Sequence, residues 1–168
     1  MIVVSDTTPI LSLLKAEKLE LLKTLYQTVV MPEAVYNELI SNGNYIEERR
    51  EIETCSFLSV EKVQNIESVR ILRDVTGLDA GESESLILYK EMKADLLLID
   101  EHKGRNVAKK MAVEHMGTAG ILMTAFDKGI ITADEVRETL ETLLIYDIRL
   151  SPKLCNKVMK YIGFEECF

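Results

Sequence analysis

Residues 94–110 read ADLLLIDEHKGRNVAKK, a short apolar run that ends in Asp100 and continues into a polar segment. Consecutive apolar positions are typical of a strand buried on both faces, since half-exposed strands alternate apolar with polar residues. We predict a helix over residues 103–111, directly after this strand. A buried strand followed by a helix is the repeating unit of α/β domains with parallel sheets.

The same unit recurs along the chain. MIVVSD at 1–6 predicts a strand, and Thr8 and Pro9 predict the N-cap and first residue of a helix that runs through Leu14. Further strands are expected at 28–31, 57–63 and 113–117, and further helices at 17–25, from Pro32, at 45–53, 66–74, 81–92 and 118–128, from a Thr132–Glu135 capping box, and from Ser151-Pro152. This alternation predicts a three-layer α/β/α sandwich around a central parallel sheet. We expect one domain over residues 1–168, with the C-terminal helices at about 132–161 packed on it.

The composition of the chain argues against several classes of protein. With 168 residues, 47% of them hydrophobic, the chain suits a single core, and its apolar runs fall short of the roughly 18 residues of a membrane span. Cys55, Cys155 and Cys167 form no CxxC pair, and we expect a cytoplasmic protein without disulfides or thiolate-bound zinc. The net charge of -8 argues against an architectural nucleic-acid binder, yet a site for hard divalent cations would contribute such carboxylates.

Four acids are candidates for such a site. Asp6 and Asp100 each follow an apolar strand, where parallel sheets bind ligands, although either could simply be an N-cap or a solvated acid. Glu38 borders the buried face of its helix, so we expect it to be partly buried and to need a partner. Glu82 is preferred over Glu84, because it precedes Leu86 by one turn, but Asp79 and Glu82 also fit a capping box.

These residues belong to an ordered set of motifs that resembles the PIN domains, and within them the compact VapC-like proteins of bacteria and archaea. The motifs are SDTTPIL at 5–11, PEAVYNEL at 32–39, LDAGESESLIL at 78–88, LLLIDEHKGRNVAKK at 96–110 and MGTAGIL at 116–122. The tail, GIITADEVRETLETLL and IRLSPKLCNKVMKYIG, also resembles that subgroup.

The resemblance implies a sheet of order 3-2-1-4-5 and an endoribonuclease that hydrolyses RNA with Mg²⁺ or Mn²⁺. It implies that Asp6, Glu38, Glu82 and Asp100 hold the metal. Many PIN domains have Asp where this chain has Glu82, whose longer side chain would move a metal ligand by about one methylene. It also raises the role of a toxin with an antitoxin partner.

Other residues are expected to assist. Thr7, Glu101 and Thr118 could orient the ligands or support Asp100. Lys103 and Arg105 are the best candidates to contact RNA, since the segment at 103–110 carries no acid and a helix start attracts anions. Lys109 and Lys110 are expected to lie on a solvated helix face, and His102 and His115 to be surface or packing residues.

Two alternative functions and one expectation about assembly follow from the same sequence features. A PIN-shaped module that binds without cutting is consistent with Glu82 and the acidic balance. A phosphoacceptor or phosphohydrolase is disfavoured, because Asp6 is followed by Thr7 and Thr8 and no DxD motif forms. We also expect a homodimer or an antitoxin complex, because the helices at 20–26 and 140–146 carry more apolar surface than one small sheet covers.

Overall fold

The computed structural model describes residues 1–41, 46–148 and 150–165. Within these ranges it contains one five-stranded sheet in the order β3-β2-β1-β4-β5. The strands are β1 (Val3–Ser5), β2 (Val29–Pro32), β3 (Leu58–Glu61), β4 (Leu96–Leu98) and β5 (His115–Met116). All four pairings are parallel, so the predicted order and direction are confirmed.

Helices connect the strands and extend the chain beyond β5. In chain order they are α1 (Thr7–Lys15), α2 (Glu20–Tyr26), α3 (Glu33–Ser41), α4 (Ile46–Thr54), α5 (Ile66–Thr76), α6 (Ala80–Met92), α7 (His102–Lys110), α8 (Thr118–Asp127), α9 (Ala133–Ile145) and α10 (Pro152–Tyr161). No helix in the described ranges is long and apolar enough to cross a membrane.

The sheet separates two apolar clusters, which confirms the three layers. Successive strand residues point to opposite faces, so Val3 belongs to one cluster and Val4 to the other. In the same way Leu98 and Ile99 lie in different clusters, and both are fully buried. Buried residues of α9 and α10 join the cluster that contains Val3, so these helices pack on that side of the sheet.

Several element boundaries differ from the prediction. Helix α1 begins at Thr7 with Asp6 as its N-cap, two residues before the predicted start. Pro9 is therefore the third helical residue, which is still tolerated because its missing N–H would have no partner in the first turn. Pro32 ends β2, in register with Glu61, instead of opening α3.

The bounds of other helices and strands differ less from the prediction. Helix α2 begins three residues later than predicted, after Glu17 takes a positive φ of 54°. Strand β3 is shorter than the predicted segment at 57–63. The predicted start of the next helix, Tyr45, lies outside the described residues.

Candidate functional site

The two central strands bring Asp6 and Asp100 to the same edge of the sheet. Ser5, the last residue of β1, is in register with Leu98, the last residue of β4. The backbone N–H of Asp6 donates to the Leu98 carbonyl at 2.9 Å. Asp6 and Asp100 thus follow neighbouring strands at their carboxyl ends, where open parallel sheets bind ligands.

Asp6 is buried among other acids. Only 4% of its surface is exposed, and burial raises the pKa of its carboxyl well above the usual value. A hydrogen bond from the Thr7 backbone lowers this pKa, whereas the charges of Asp79, Glu82 and Glu38 raise it further. Glu38 and Glu82, two of the other predicted acids, therefore act electrostatically on Asp6, and so does Asp79.

Glu38 is held beside Asp6 by a threonine. The Thr7 hydroxyl donates to Glu38 Oε2 at 2.7 Å. A β-carbon added to Gly81 would lie 3.2 Å from Asp6 Oδ1 and 3.4 Å from Glu38 Oε2, so both oxygens face the same point on α6. The expected partial burial of Glu38 is wrong: the residue is exposed, although its Oε2 accepts from the Thr7 hydroxyl.

Glu82 serves as a helix cap and also presents a free oxygen. Its Oε2 accepts from the Asp79 backbone N–H at 3.1 Å, and Asp79 Oδ1 accepts from the Glu82 N–H at 2.8 Å, which completes the predicted capping box. Glu82 is 4% exposed, and its Oε1 is buried without a hydrogen-bond partner among the described residues. Burial is the main cause that raises the pKa of Glu82.

Glu84 points elsewhere. Its Oε2 accepts from the Ala34 N–H at 3.1 Å, at the start of α3. This position agrees with the preference for Glu82 as the inward-facing acid.

Asp100 is fixed by the first residue of α8. The Thr118 N–H donates to Asp100 Oδ1 at 2.7 Å, and the Thr118 hydroxyl donates to Oδ2 at 2.6 Å. Burial raises the pKa of Asp100, the bonds from Thr118 and the charge of Arg105 lower it, and Glu101 raises it. The charge of Glu101 also raises the pKa of Glu82, so Glu101 acts electrostatically on both Asp100 and Glu82.

The carboxylates do not form a ready-made metal centre as they lie. Within the ranges that the structure describes, no group of three or more His, Cys, Asp or Glu could hold a metal ion. Hydrogen bonds from Thr7, Thr118 and the Asp79 amide hold oxygens of three of the acids. The donor set nevertheless suits a hard divalent cation, because it consists of carboxylate oxygens and includes the buried, unpartnered Glu82 Oε1.

A groove opens beside Asp100. It has a volume of about 1160 Å³ and is lined by parts of α7, α8 and α10. Arg105 lines it, as do His102 and His115, for which only surface or packing roles were expected. Lys103 is not among the described lining residues; its Nζ donates to the Gly77 carbonyl at 2.5 Å, and its charge lowers the pKa of Glu82.

Sequence reasoning missed three charged residues here. Asp79 was recognised only as a cap, although its spacing from Glu82 was visible. Lys109 lines the groove, while its neighbour Lys110 does not appear among the described lining residues. Lys157 of α10 also lines the groove, and no signal in the sequence could have linked it to Asp100 so far along the chain.

Comparison with known proteins places this arrangement in a family. A family model described as DUF3368, PIN domain, matches residues 2–163, and so includes every strand and the C-terminal helices α9 and α10. No curated protein matches the chain. The match extends over nearly the whole chain and includes all four acids at the sheet edge. The chain therefore belongs to the PIN domain family.

Proposed function

We propose that this chain is a divalent-metal-dependent endoribonuclease. PIN domains are generally nucleases, and this proposal specifies the metal dependence and the RNA substrate. The observation that carries the proposal is the cluster of acids at the carboxyl edge of the sheet, in which Asp6 and Glu82 are buried and Glu82 Oε1 has no hydrogen-bond partner among the described residues. A buried carboxylate oxygen without a donor is costly unless a proton or a cation compensates it. PIN domains typically use divalent metals, and here Mg²⁺ or Mn²⁺ would fill that role.

Asp6, Glu38, Glu82 and Asp100 would hold the metal through carboxylate oxygens. When bound, the metal supplies an activated water and screens the charge that develops on the phosphate. Thr7 would keep Glu38 turned toward Asp6, and Thr118 would fix Asp100, through the hydrogen bonds described above. Glu101 would strengthen the negative field between Glu82 and Asp100.

Lys103 and Arg105 would contact the RNA backbone at different places. The charge of Lys103 acts on Glu82, and the charge of Arg105 acts on Asp100. Each cation thus lies next to one part of the acid cluster, where a phosphate approaching the acids needs compensation for their repulsion. In hydrolysis, the water oxygen bonds to phosphorus, the P–O bond to the leaving ribose breaks, and that oxygen gains a proton.

A non-catalytic PIN module is the second candidate, favoured by one observation. Glu82 already caps α6, and the described acids are not arranged to hold a metal as they lie. A cation would have to compete with the capping bond. In this alternative, the site binds a partner and cuts nothing.

We also propose a VapC-like role in which the chain forms a homodimer or binds an antitoxin protein. The end of α9 supports this, since Leu144, Ile145 and Tyr146 are 43%, 82% and 46% exposed. The other helix expected to supply apolar surface does not: Leu21, Leu22 and Tyr26 of α2 lie in the core.

Calorimetric titration with MnCl₂ and with MgCl₂ tests the proposed metal site. We expect saturable binding at millimolar metal or below, and a rise in melting temperature, because a ligand that binds only the folded state stabilises it. Glu82→Gln should weaken binding, and Glu84→Gln is the matched control, since Glu84 faces Ala34. Absence of binding by the parent protein would contradict the metal site.

A further inference from the structure

Asp100 lies at the N-terminus of α8, although it follows a strand far from that helix in sequence. The N-cap residue of α8 is Gly117, which has no side chain to accept a hydrogen bond from the first turn. The backbone N–H of Thr118, the first residue of the helix, instead donates to Asp100 Oδ1 at 2.7 Å. Free N–H groups and the positive end of the helix dipole favour a carboxylate at this place. Asp100 therefore takes the position that the side chain of an ordinary N-cap residue would occupy.

The space beside Asp100 is too small for a side chain at position 117. A β-carbon added to Gly117 would lie 2.7 Å from Asp100 Oδ1 and 3.4 Å from the Ile99 carbonyl oxygen, and the first distance is too short for a carbon atom. The carboxylate cannot move aside freely, because Thr118 binds both of its oxygens, at 2.7 Å and 2.6 Å. A methyl group at position 117 would therefore displace Asp100 from Thr118.

The backbone does not require glycine at position 117. Its φ of -101° and ψ of 178° are extended values that any residue adopts. The absence of a side chain is therefore explained by the space that Asp100 needs. Gly104 of α7 has the same relation to another acid of the cluster, since its β-carbon would lie 2.7 Å from Glu82 Oε1.

We propose that Gly117 is a positioning residue for Asp100: because it has no side chain, the carboxylate fits at the start of α8, where Thr118 holds both of its oxygens. This inference rests on the proposed function, since the carboxylate held in this way is a ligand of the proposed metal site. A carboxylate that is already fixed loses little conformational freedom when a metal binds. Gly117 thus acts on the metal through Asp100, without offering a side-chain ligand of its own.

A double-mutant cycle tests whether a side chain at position 117 acts through Asp100. Gly117→Ala, Asp100→Ala and the double variant are unfolded with urea in EDTA, so the result depends neither on metal nor on cleavage. Asp100→Ala removes the oxygen that the new methyl group would meet. Calorimetric titration then measures the Mn²⁺ affinity of Gly117→Ala. Gly120→Ala is the matched control in the same helix, because its β-carbon would meet Cγ of the flexible Met116 side chain, 2.5 Å away, and no acid.

We expect Gly117→Ala to lower the urea midpoint of the parent by about 1 M through overpacking, and to lower it much less in the Asp100→Ala background. Gly117→Ala should also weaken Mn²⁺ binding on the order of ten-fold, as the loss of a contact that orients a metal ligand does. Gly120→Ala should keep the parental Mn²⁺ affinity, whatever its effect on stability. Circular dichroism checks that each variant is folded before urea is added.

Equal losses of stability in both backgrounds would show that residue 117 does not act through Asp100, and would overturn the inference. Parental Mn²⁺ affinity in Gly117→Ala, or an equal loss of affinity in Gly120→Ala, would overturn the role of Gly117 at the metal site. A parent that binds no Mn²⁺, with the coupling in EDTA intact, would retain the placement of Asp100 by Gly117 and refute the proposed metal site.

Discussion

Asp6 places a carboxylate in a buried position next to Asp79, Glu82 and Glu38. Its raised pKa means that the folded protein holds this proton at pH values where the unfolded chain has lost it. The stability contributed by the protonated form is therefore complete below the ordinary value of 3.8 and is lost as pH rises through the raised pKa. At neutral pH and without metal, Asp6 therefore destabilises the fold.

Asp6→Asn should remove this penalty. We expect the variant to be more stable than the parent at pH 7 in EDTA, with the gain shrinking toward pH 4, where the parent carboxyl is protonated. Urea unfolding at several pH values measures the difference. Asp134→Asn, at an exposed position on α9, is the control, and a gain independent of pH would contradict the assignment.

Gly104 lets α7 approach the site closely. A β-carbon there would lie 2.5 Å from Ile99 Cδ1 and 2.7 Å from Glu82 Oε1. Gly104→Ala should therefore cost about 1–3 kcal/mol of stability through overpacking, and should also weaken Mn²⁺ binding by displacing Glu82. Urea unfolding and calorimetry report the two effects, and an Ala variant with parental values in both would show that α7 can shift freely.

At the scale of the element, Glu82 completes the capping box of α6 and is also a ligand of the proposed metal site. Glu82→Gln keeps an oxygen that can accept from the Asp79 N–H, since Gln also forms capping boxes, but it loses the charge. Glu82→Ala loses both. We expect the Gln variant to fold with little loss and bind Mn²⁺ weakly, and the Ala variant to lose about 1 kcal/mol in addition.

Unfolding and metal titration on the same two variants separate these roles. If Glu82→Gln bound Mn²⁺ as tightly as the parent, Glu82 would be a helix cap alone. The non-catalytic candidate would then gain support.

The elements differ in how far the sequence could predict them. The continuous apolar runs of β1 and β4, and the capping boxes of α6 and α9, are local signals, and the structure confirms all of them. The start of α1 was misplaced because Thr8-Pro9 is a strong local signal, while the end of β1 is set by pairing with β4. Local secondary-structure propensity contains no information about a partner strand that is distant in the sequence.

The site shows the same limit. Asp6 and Asp100 could be proposed because a position after a buried strand is visible in the sequence, and their metal role stays a prediction. The exposure of Glu38 and the contribution of Lys157 depend on how α3 and α10 pack, which no spacing records. Three-dimensional proximity was also needed to separate Lys109 from Lys110.

At the scale of the whole molecule, the exposed end of α9 bears on assembly. Ile145 is 82% exposed within an apolar triplet, which favours contact with a second copy or a partner. We expect light scattering to give about twice the 19.1 kDa chain mass, and Ile145→Glu to reduce it to the single-chain mass. Val75→Glu, at a residue that is 79% exposed on α5, should have no effect.

A parent protein that stays at the single-chain mass over a wide concentration range, with no partner co-purifying from its native host, would contradict this assembly. The acid cluster would be unaffected, because every acid in it comes from one chain.

The acid cluster as a metal-dependent nuclease centre is tested most directly by the initial rate at which purified protein cuts labelled single-stranded RNA in Mn²⁺. The parent and Asp134→Asn should cut, EDTA should stop them, and Asp6→Asn and Asp100→Asn should lose on the order of 100-fold or more, because Asn is a poorer ligand for a hard cation. Asn variants that cut as fast as the parent would place the activity elsewhere. A parent that binds Mn²⁺ and cuts no RNA would contradict the nuclease and leave the binding module in its place.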